Sequence, residues 1–312
     1  MTCIGVAVAG LWTGIDTPRA VDAPALTAPV AMERWLAGLD DATRLALCRE
    51  KRLATQALLD TPVTVIETAT GTDGMAWSRV VVPSQPSSLD ARGYPGWLPT
   101  AQLADAAGVA RERESGDASG RVFVTAPTAW LQRVGGTPVK ISFATQLALA
   151  APVNAGDARV DVVTALGRGW LSRESVRLAE TADPKDTATT LETMGRRFDG
   201  LRYLWAGNSG FGFDCSGFVH SLFAAVGVTL PRDAGDQVDT GTSVSLEARR
   251  AGDLLYFEKP DDAGRVQVDH VALYLGEDRI LHAPTNNARI ECRQLSGSCY
   301  ARELCAVRRH LG

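Results

Sequence analysis

Long apolar segments and dense clusters of positive charge are both missing from the 312-residue sequence. No stretch approaches the roughly 18–20 apolar residues that a membrane-spanning helix needs. The chain has 32 Lys and Arg against 36 Asp and Glu, so neither nucleic acid nor an anionic membrane is expected as a partner. The apolar start lacks the basic residues that precede a secretory signal, and residues 4–12 are therefore predicted to form a strand.

Paired cysteine motifs are also absent, although the chain has six cysteines. These stand at positions 3, 48, 215, 292, 299 and 305, and no two have the C-x-x-C spacing of a zinc or redox site. Reduced thiols packed as small hydrophobic groups are the expected state, which fits a cytoplasmic protein. A disulfide among the last three cysteines is the alternative. No metal and no cofactor is expected.

Hydrophobic patterning divides the chain into three regions. A helical pattern covers residues 31–51. Short strand-like runs separated by turn residues follow in two groups, at 63–67, 77–82 and 97–98 and at 122–125, 139–143, 160–164 and 169–171. Polar stretches at 111–120 and 181–190 are predicted to be linkers. From residue 191 onward the pattern changes to helix and then strand.

The two strand-rich regions look like repeats of one unit. Each contains a Gly-Trp-Leu strand, starting at Gly96 and at Gly169, followed by a turn and a closing aliphatic residue. Short strands that close on such a strand are typical of small β-barrels, and both regions resemble bacterial SH3-like domains. The predicted domains are 1–110, with a helical insertion, then 118–180 and 186–312.

Cys215 is the cysteine whose surroundings suggest chemistry. Glycines lead up to it, apolar residues at helical spacing follow it, and Gly227 is a suitable C-cap, so Cys215 is expected at a helix N-terminus. Free N–H groups and the helix dipole stabilise a thiolate there and can hold an oxyanion. A buried, unreactive thiol is the alternative for such a cysteine taken alone.

Only four histidines are available as the base for this nucleophile. His270 lies on an alternating strand with Ala272 on the same face, and a predicted turn near residue 277 leads to a return strand that carries His282. This register places His282 opposite Ala272 and makes it the diagonal neighbour of His270, at about 7 Å between backbones. One imidazole can then orient the other, which completes a set of nucleophile, base and orienting group.

Other roles for the histidines are weaker alternatives. His220 lies five positions after Cys215 and is expected to point away from the nucleophile, and His310 near the terminus is expected to be solvated. His282 taken alone would more often be a core residue. A metal bound by His270 and His282 lacks an indicated third ligand.

The segments around these residues are similar to those of the NlpC/P60 family of papain-like cysteine peptidases. They occur in the family's order as RYLWAG at 202–207, FDCSGF at 213–218, LPRD at 230–233 with Gln237, GDLLYF at 252–257, HVALYLG at 270–276 and LHA at 281–283. The resemblance implies an α+β papain-like domain in which Cys215 is the nucleophile, His270 the base and His282 the orienting residue.

The same resemblance implies residues that contact the substrate. Tyr203 matches a tyrosine that lines the oxyanion site, and Asp214 and Ser216 match residues that flank the nucleophile and contact substrate. The full expected fold is two small all-β SH3-like barrels followed by the papain-like domain.

The first region resembles one subgroup of that family, the γ-D-glutamyl-L-diamino acid dipeptidyl peptidases. The matching segments are TQALLD at 55–60, WSRV at 77–80 and RGYPGW at 92–97. The resemblance implies release of L-Ala-γ-D-Glu from free murein peptides, with Tyr94 and an acidic group on the substrate's ammonium. The subgroup has Tyr-Gly-Glu where this chain has Leu-Asp-Thr, so Asp60 is the available acidic group. It also often has Ser where this chain has Ala234.

Two rival functions follow from the same residues. One is an exported cell-wall endopeptidase or amidase whose SH3-like domains anchor it to peptidoglycan. The other is a peptide-binding module without catalysis, which the presence of both Cys215 and His270 disfavours.

Overall fold

The structure, a computed structural model, divides into two compact units, which are described separately. It describes residues 2–105, 120–179, 187–260, 264–285 and 287–311. The units are Met1–Thr181 with Ser209–Phe211, and Ala182–Asn208 with Gly212–Gly312. Most of the predicted linker 111–120, and residues 181–186 of the second, lie outside the described residues. None of the helices in these ranges has the length and apolar character needed to cross a bilayer.

The first unit begins with a seven-stranded antiparallel sheet. Its strands are β1 (Thr2–Ile4), β2 (Val8–Trp12), β3 (Leu53–Leu58), β4 (Pro62–Thr70), β5 (Ala76–Val82), β6 (Tyr94–Pro99) and β7 (Leu103–Asp105). Their order in the sheet is β3-β2-β6-β5-β4-β1-β7. The predicted strand at 4–12 is therefore two strands, β1 and β2, which lie at different places in the sheet.

The insertion between β2 and β3 is helical, as predicted, but it is broken. A 3-10 helix at Ala20–Ala25 precedes α1 (Met32–Gly38) and α2 (Asp41–Arg49). The single helix predicted over 31–51 is interrupted because Asp40 is the N-cap of α2, where its carboxylate accepts the Thr43 N–H at 2.8 Å.

The second sheet of this unit repeats the topology of the first. Its strands are β8 (Arg121–Val124), β9 (Thr128–Arg133), β10 (Val139–Ser142), β11 (Gln146–Leu149), β12 (Arg159–Thr164), β13 (Gly167–Ser172) and β14 (Val176–Leu178). The order β10-β9-β13-β12-β11-β8-β14 is that of the first sheet, strand for strand. The predicted repeat is confirmed, and its two Gly-Trp-Leu segments lie on the equivalent strands β6 and β13.

Close approach explains why glycine begins both Gly-Trp-Leu segments. A Cβ at Gly169 would lie 2.3 Å from the Gln132 carbonyl oxygen, and one at Gly96 would lie 2.8 Å from the Leu11 Cβ. Both distances are too short for any side chain, so the neighbouring strand packs directly against the glycine backbone.

The second unit is an α+β fold around a six-stranded sheet. Its helices are α3 (Thr187–Arg196), α4 (Cys215–Ala225), α5 (Ala234–Gln237) and α6 (Tyr300–Glu303). Its strands are the short pair β15 (Asn208–Ser209) and β16 (Gly212–Phe213), then β17 (Thr242–Ser243), β18 (Leu254–Pro260), β19 (Val266–Gly276), β20 (Arg279–His282), β21 (Glu291–Gln294) and β22 (Leu304–Arg309). The sheet order is β17-β22-β18-β19-β20-β21.

A bulge interrupts the pairing of β18 with β19. Phe257 pairs with His270, and the next residue, Glu258, pairs with Val268, so Asp269 is the extra residue. Residues 270–275, beyond the bulge, are all buried, whereas residues 264–267 are exposed. The bulge therefore separates the solvent-exposed end of β19 from the end that packs in the core.

Candidate active site

The N-terminus of α4 is fixed by a buried ion pair. Asp214 is the N-cap, and its carboxylate accepts the Gly217 N–H at 2.6 Å. The guanidinium of Arg232, which is 0% exposed, binds both oxygens of that carboxylate at 2.8 and 3.0 Å. Arg232 also donates to Ser216 Oγ at 3.0 Å and to the Gly207 carbonyl at 3.2 Å. These contacts hold the first turn of α4, where Cys215 is the first residue, as predicted.

Cys215 packs against the part of β19 that carries His270. Its Sγ lies 3.9 Å from the carbonyl oxygen of Asp269, the residue just before His270. Burial, followed by the charge of Asp214, raises the pKa of the Cys215 thiol to about 12, against hydrogen bonds from the backbone of Val271 and Ser216. Stabilisation of a thiolate by the helix N-terminus stays a prediction, and burial acts against it.

The two histidines of the β19–β20 hairpin are bonded to each other. His270 Nε2 lies 2.8 Å from His282 Nδ1, and both side chains are buried. The hairpin pairs Leu273 with Leu281 and Tyr274 with Ile280, so the same register continued by one pair sets His282 opposite Ala272. The predicted diagonal contact between His270 and His282 is confirmed.

Both imidazoles are held in the neutral form. Burial, followed by the charge of His282, lowers the pKa of His270 well below its ordinary value. Burial and then the Arg293 cation lower the pKa of His282 to about 3. A bond between two neutral rings needs one donor and one acceptor, and either ring can be the donor. Nδ1 is the ring nitrogen of His270 that this bond does not use.

Aromatic rings enclose this histidine pair. The Tyr300 ring lies 5.1 Å from that of His270 and 4.8 Å from that of His282, and the Phe257 ring lies 5.5 Å from His270. Tyr300 was not predicted, because no strand or helix periodicity marks its segment. Arg232 was identified only as part of the LPRD segment, because an arginine followed by Asp233 and Asp236 gives no sign in the sequence that it is buried.

The remaining histidines have structural contacts. His220 is buried on α4 and its Nδ1 lies 2.9 Å from the Leu230 carbonyl oxygen; burial lowers its pKa to about 4. The prediction that His310 is solvated is wrong, because its ring packs edge-on against Phe223 at 5.9 Å and is half-buried. Within the described ranges, no three His, Cys, Asp or Glu side chains gather closely enough to hold a metal ion.

The other predicted site residues have known positions but untested roles. Tyr203 is buried and its N–H donates to the Ala288 carbonyl at 3.0 Å. Asp214 and Ser216 are buried beside Arg232 as described above, and their contact with substrate stays a prediction. Ser216 Oγ also lies 3.3 Å from the Asp214 carboxylate.

Tyr94 and Asp60 belong to the first unit. Tyr94 is buried on β6, where it pairs with Val82. Asp60 Oδ1 accepts the Ala165 N–H at 2.7 Å, which ties the first sheet to a turn of the second. Burial raises the pKa of Asp60 to about 6. The residue next to it, Leu59, packs into the core of the second sheet together with Ala7.

Comparisons with known proteins agree with this site. The model of the NlpC/P60 family matches residues 200–309, which include Cys215, His270 and His282. The chain is 39% identical to the gamma-D-glutamyl-L-lysine dipeptidyl-peptidase of Bacillus subtilis, over 97% of this chain and 96% of that protein. It is 34% identical to the protein of that name from Bacillus cereus, over 99% of this chain and 90% of the relative.

A solved structure is similar over the full length of the chain. The crystal structure of an NlpC/P60 family protein from Bacillus cereus superposes with a TM-score of 0.86 at 34% identity, covering 100% of this chain and 99% of that one. Likeness therefore extends over both units as well as over the segment that the family model matches. The chain belongs to the NlpC/P60 family of cysteine peptidases.

Proposed function

We propose that this enzyme hydrolyses the bond between γ-D-glutamate and an L-diamino acid, lysine or diaminopimelate, in free murein peptides. It releases L-Ala-γ-D-Glu from a free N-terminus. The observation that carries the proposal is similarity over the full length, at 39% identity and 96% of the relative, to a gamma-D-glutamyl-L-lysine dipeptidyl-peptidase. Similarity confined to the catalytic domain would support a peptidase but not this specificity.

The site geometry supports acyl transfer through a thioester. Cys215 Sγ attacks the γ-carbonyl carbon of D-glutamate while its proton passes to Nδ1 of His270. The protonated His270 then gives that proton to the leaving α-amine of the diamino acid, and the carbon–nitrogen bond breaks. Water, deprotonated by His270, hydrolyses the thioester and regenerates the thiol. No cofactor takes part in these steps.

Burial shapes how the nucleophile is activated. A lone thiolate or a lone imidazolium is costly in this site, as the raised pKa of Cys215 and the lowered pKa of His270 show. Proton transfer between them creates opposite charges side by side, so their attraction offsets part of the burial cost. We therefore assign Cys215 as nucleophile, His270 as base and His282 as the residue that orients His270.

The oxyanion and the substrate are assigned from the family resemblance. Backbone N–H groups at the start of α4, together with Tyr203, are proposed to hold the oxyanion, and Asp214 and Ser216 to contact the substrate. The two sheets of the first unit are proposed to be SH3-like barrels, with boundaries 1–110 and 118–180, ahead of a catalytic domain at 186–312. Tyr94, with Asp60 as its acidic companion, is proposed to meet the substrate's ammonium.

The compartment is proposed to be the cytoplasm, with free recycled peptides as substrates. All six cysteines carry free thiols, a state that a reducing compartment preserves. The rival is an exported wall endopeptidase, since 92 residues are 36% identical to a probable endopeptidase p60 of Listeria seeligeri. That match covers only 30% of this chain, so it bears on the catalytic domain alone.

Mass spectrometry of digests tests the proposal. Free L-Ala-γ-D-Glu-L-Lys and its diaminopimelate analogue are each incubated with the full chain and with Cys215→Ala. We expect L-Ala-γ-D-Glu and the free diamino acid from the wild type only. Efficient release of peptides from intact sacculi, together with recovery of the enzyme in the wall fraction, would instead support the exported endopeptidase.

A further inference from the structure

The bond between the two histidines, together with the proposed role of His270 as base, determines which nitrogens carry hydrogen. His270 must keep Nδ1 available as the acceptor for the Cys215 proton, so its own hydrogen is on Nε2 and is donated to His282 Nδ1, 2.8 Å away. His282 then accepts at Nδ1 and carries its hydrogen on Nε2. That Nε2 is buried and has no hydrogen-bond partner in the described part of the chain.

A carboxylate lies next to this unpartnered nitrogen. Strand β21 pairs with β20 so that Glu291 is directly opposite His282, and Glu291 Oε1 is 3.5 Å from His282 Nε2. The glutamate side chain is 44% exposed while that of His282 is 0% exposed. The carboxylate therefore lies between the solvent and the buried ring. The same oxygen accepts from Arg293 Nη1 at 3.1 Å.

We propose that Glu291 is a fourth, positioning member of the catalytic row, which runs Glu291–His282–His270–Cys215. Its role is to accept the His282 Nε2 hydrogen and to stabilise the positive charge that arises on the histidine pair during proton transfer. The 3.5 Å distance is about 0.5 Å longer than a normal hydrogen bond, and the glutamate side chain is partly exposed, so a small movement would close it. This inference rests on the proposed function, since it assigns a role in that reaction.

Arg293 opposes Glu291 in this arrangement. It competes for the same carboxylate oxygen, and its charge lowers the pKa of His282. Other charged or titratable groups on the described elements around the two rings include Cys215 on α4, Asp269 on β19, Cys292 on β21, Lys259 on β18, Tyr300 and Glu303 on α6, and Glu192 with Arg196, which pair with each other on α3. Glu291 and Arg293 are thus neighbours of opposite sign beside one ring.

The opposed charges predict opposite effects on the pH profile. The acid limb of kcat/KM reports the apparent pKa of the coupled histidine pair in the free enzyme. Glu291→Gln removes the anion that favours the protonated pair, so the acid limb should move to lower pH. Arg293→Gln removes the opposing cation and releases the carboxylate, so the limb should move to higher pH.

The rate is expected to respond through kcat. Because the positive charge forms after substrate has bound, Glu291→Gln should lower kcat about three- to tenfold at neutral pH and leave KM within about twofold, as befits a half-exposed charge pair. A disturbance of the fold alone has no reason to separate kcat from KM or to give shifts of opposite sign.

The experiment measures kcat and KM from pH 3 to 9, a range that reaches the lowered pKa of the two histidines, for the full-length wild type, Glu291→Gln and Arg293→Gln on L-Ala-γ-D-Glu-L-Lys. Glu277→Gln is the matched control, because Glu277 is 87% exposed on the β19–β20 turn and should change nothing. Opposite shifts of the acid limb support the inference. A Glu291→Gln profile that superposes on the wild type, or shifts of the same sign in both variants, overturns it. An active Cys215→Ala variant would instead overturn the proposed function itself.

Discussion

Arg232 and Asp214 form a two-point ion pair at the N-terminus of α4, at 2.8 and 3.0 Å, with the guanidinium fully buried. Removing one member of such a pair leaves a buried charge without its partner. The free energy lost in this way is larger than the net stabilisation that the intact pair provides. Because this carboxylate is also the N-cap of α4, the pair connects the stability of the fold to the position of Cys215.

Arg232→Met should therefore destabilise the protein by about 3–5 kcal/mol, measured by urea unfolding at pH 7. Activity should fall further than the folded fraction does, since the start of α4 loses its anchor. Arg196→Met is the matched control. Arg196 is 41% exposed, pairs with Glu192 one turn away, and should contribute less than about 0.5 kcal/mol. Equal effects of the two variants would contradict an anchoring role for Arg232.

Cys215→Ala and His270→Ala should each abolish turnover of L-Ala-γ-D-Glu-L-Lys, and the double variant should be no slower than either single one. The reason is that nucleophile and base act as one unit, so removing either ends the same reaction. His282→Ala should be milder, because His282 orients His270 without taking the substrate proton. Stopped assays of kcat/KM test this, with His310→Gln as the control; wild-type turnover by His270→Ala would refute the assignment of the base.

Asp60→Asn should stabilise the protein at high pH. The pKa of Asp60 is raised from 3.8 to about 6 in the folded state, so folding favours the protonated acid. The resulting contribution of Asp60 to the free energy of unfolding is nearly complete below about pH 4 and is lost as the pH rises through 6. Asparagine mimics the protonated form and tolerates the φ of +63° at this position.

We expect a gain on the order of 1–3 kcal/mol for Asp60→Asn at pH 8 and about half that gain at pH 5, from urea titrations at both values. Asp161→Asn, at a 41% exposed aspartate of the second sheet, should show no such dependence. The same variant separates two roles for Asp60. A higher KM for the free peptide supports binding of the substrate's ammonium, whereas an unchanged KM assigns Asp60 to joining the two sheets.

N-acetylation of the substrate should slow cleavage at least tenfold in kcat/KM. A free ammonium held by a charged hydrogen bond is worth about 1.5–3 kcal/mol, and 1.4 kcal/mol corresponds to tenfold. Tyr94→Ala should narrow the difference between the two peptides mainly by slowing the free one, and Tyr94→Phe should show how much of this is due to the hydroxyl. Equal kcat/KM for acetylated and free peptides would favour the endopeptidase.

Local patterns were sufficient to predict much of the catalytic geometry. Alternation along β19 and the turn at residue 277 predicted the register that brings His270 to His282, because a tight hairpin fixes pairing over its first few residues. Glycines followed by helical spacing predicted that α4 begins at Cys215. The repeated Gly-Trp-Leu segments predicted that one sheet topology occurs twice.

Contacts between distant segments could not be predicted in this way. Arg232 is 18 residues from Asp214, and Tyr300 and Glu291 reach the histidines only because the strands β20 and β21 and the helix α6 pack together. No periodicity marks such residues, since their partners are set by tertiary packing. The burial of Cys215 could not be predicted for the same reason, because it depends on packing against β19.

Because Asp269 is an extra residue in β19, the alternation of side chains before it is independent of the alternation after it. In an uninterrupted strand the side chains alternate strictly between the two faces. A one-residue change of register at one end would therefore turn the His270 side chain away from Cys215. The bulge interrupts this alternation just before His270. A change of sequence or pairing at the exposed residues 264–267 is therefore expected to leave the orientation of His270 unchanged.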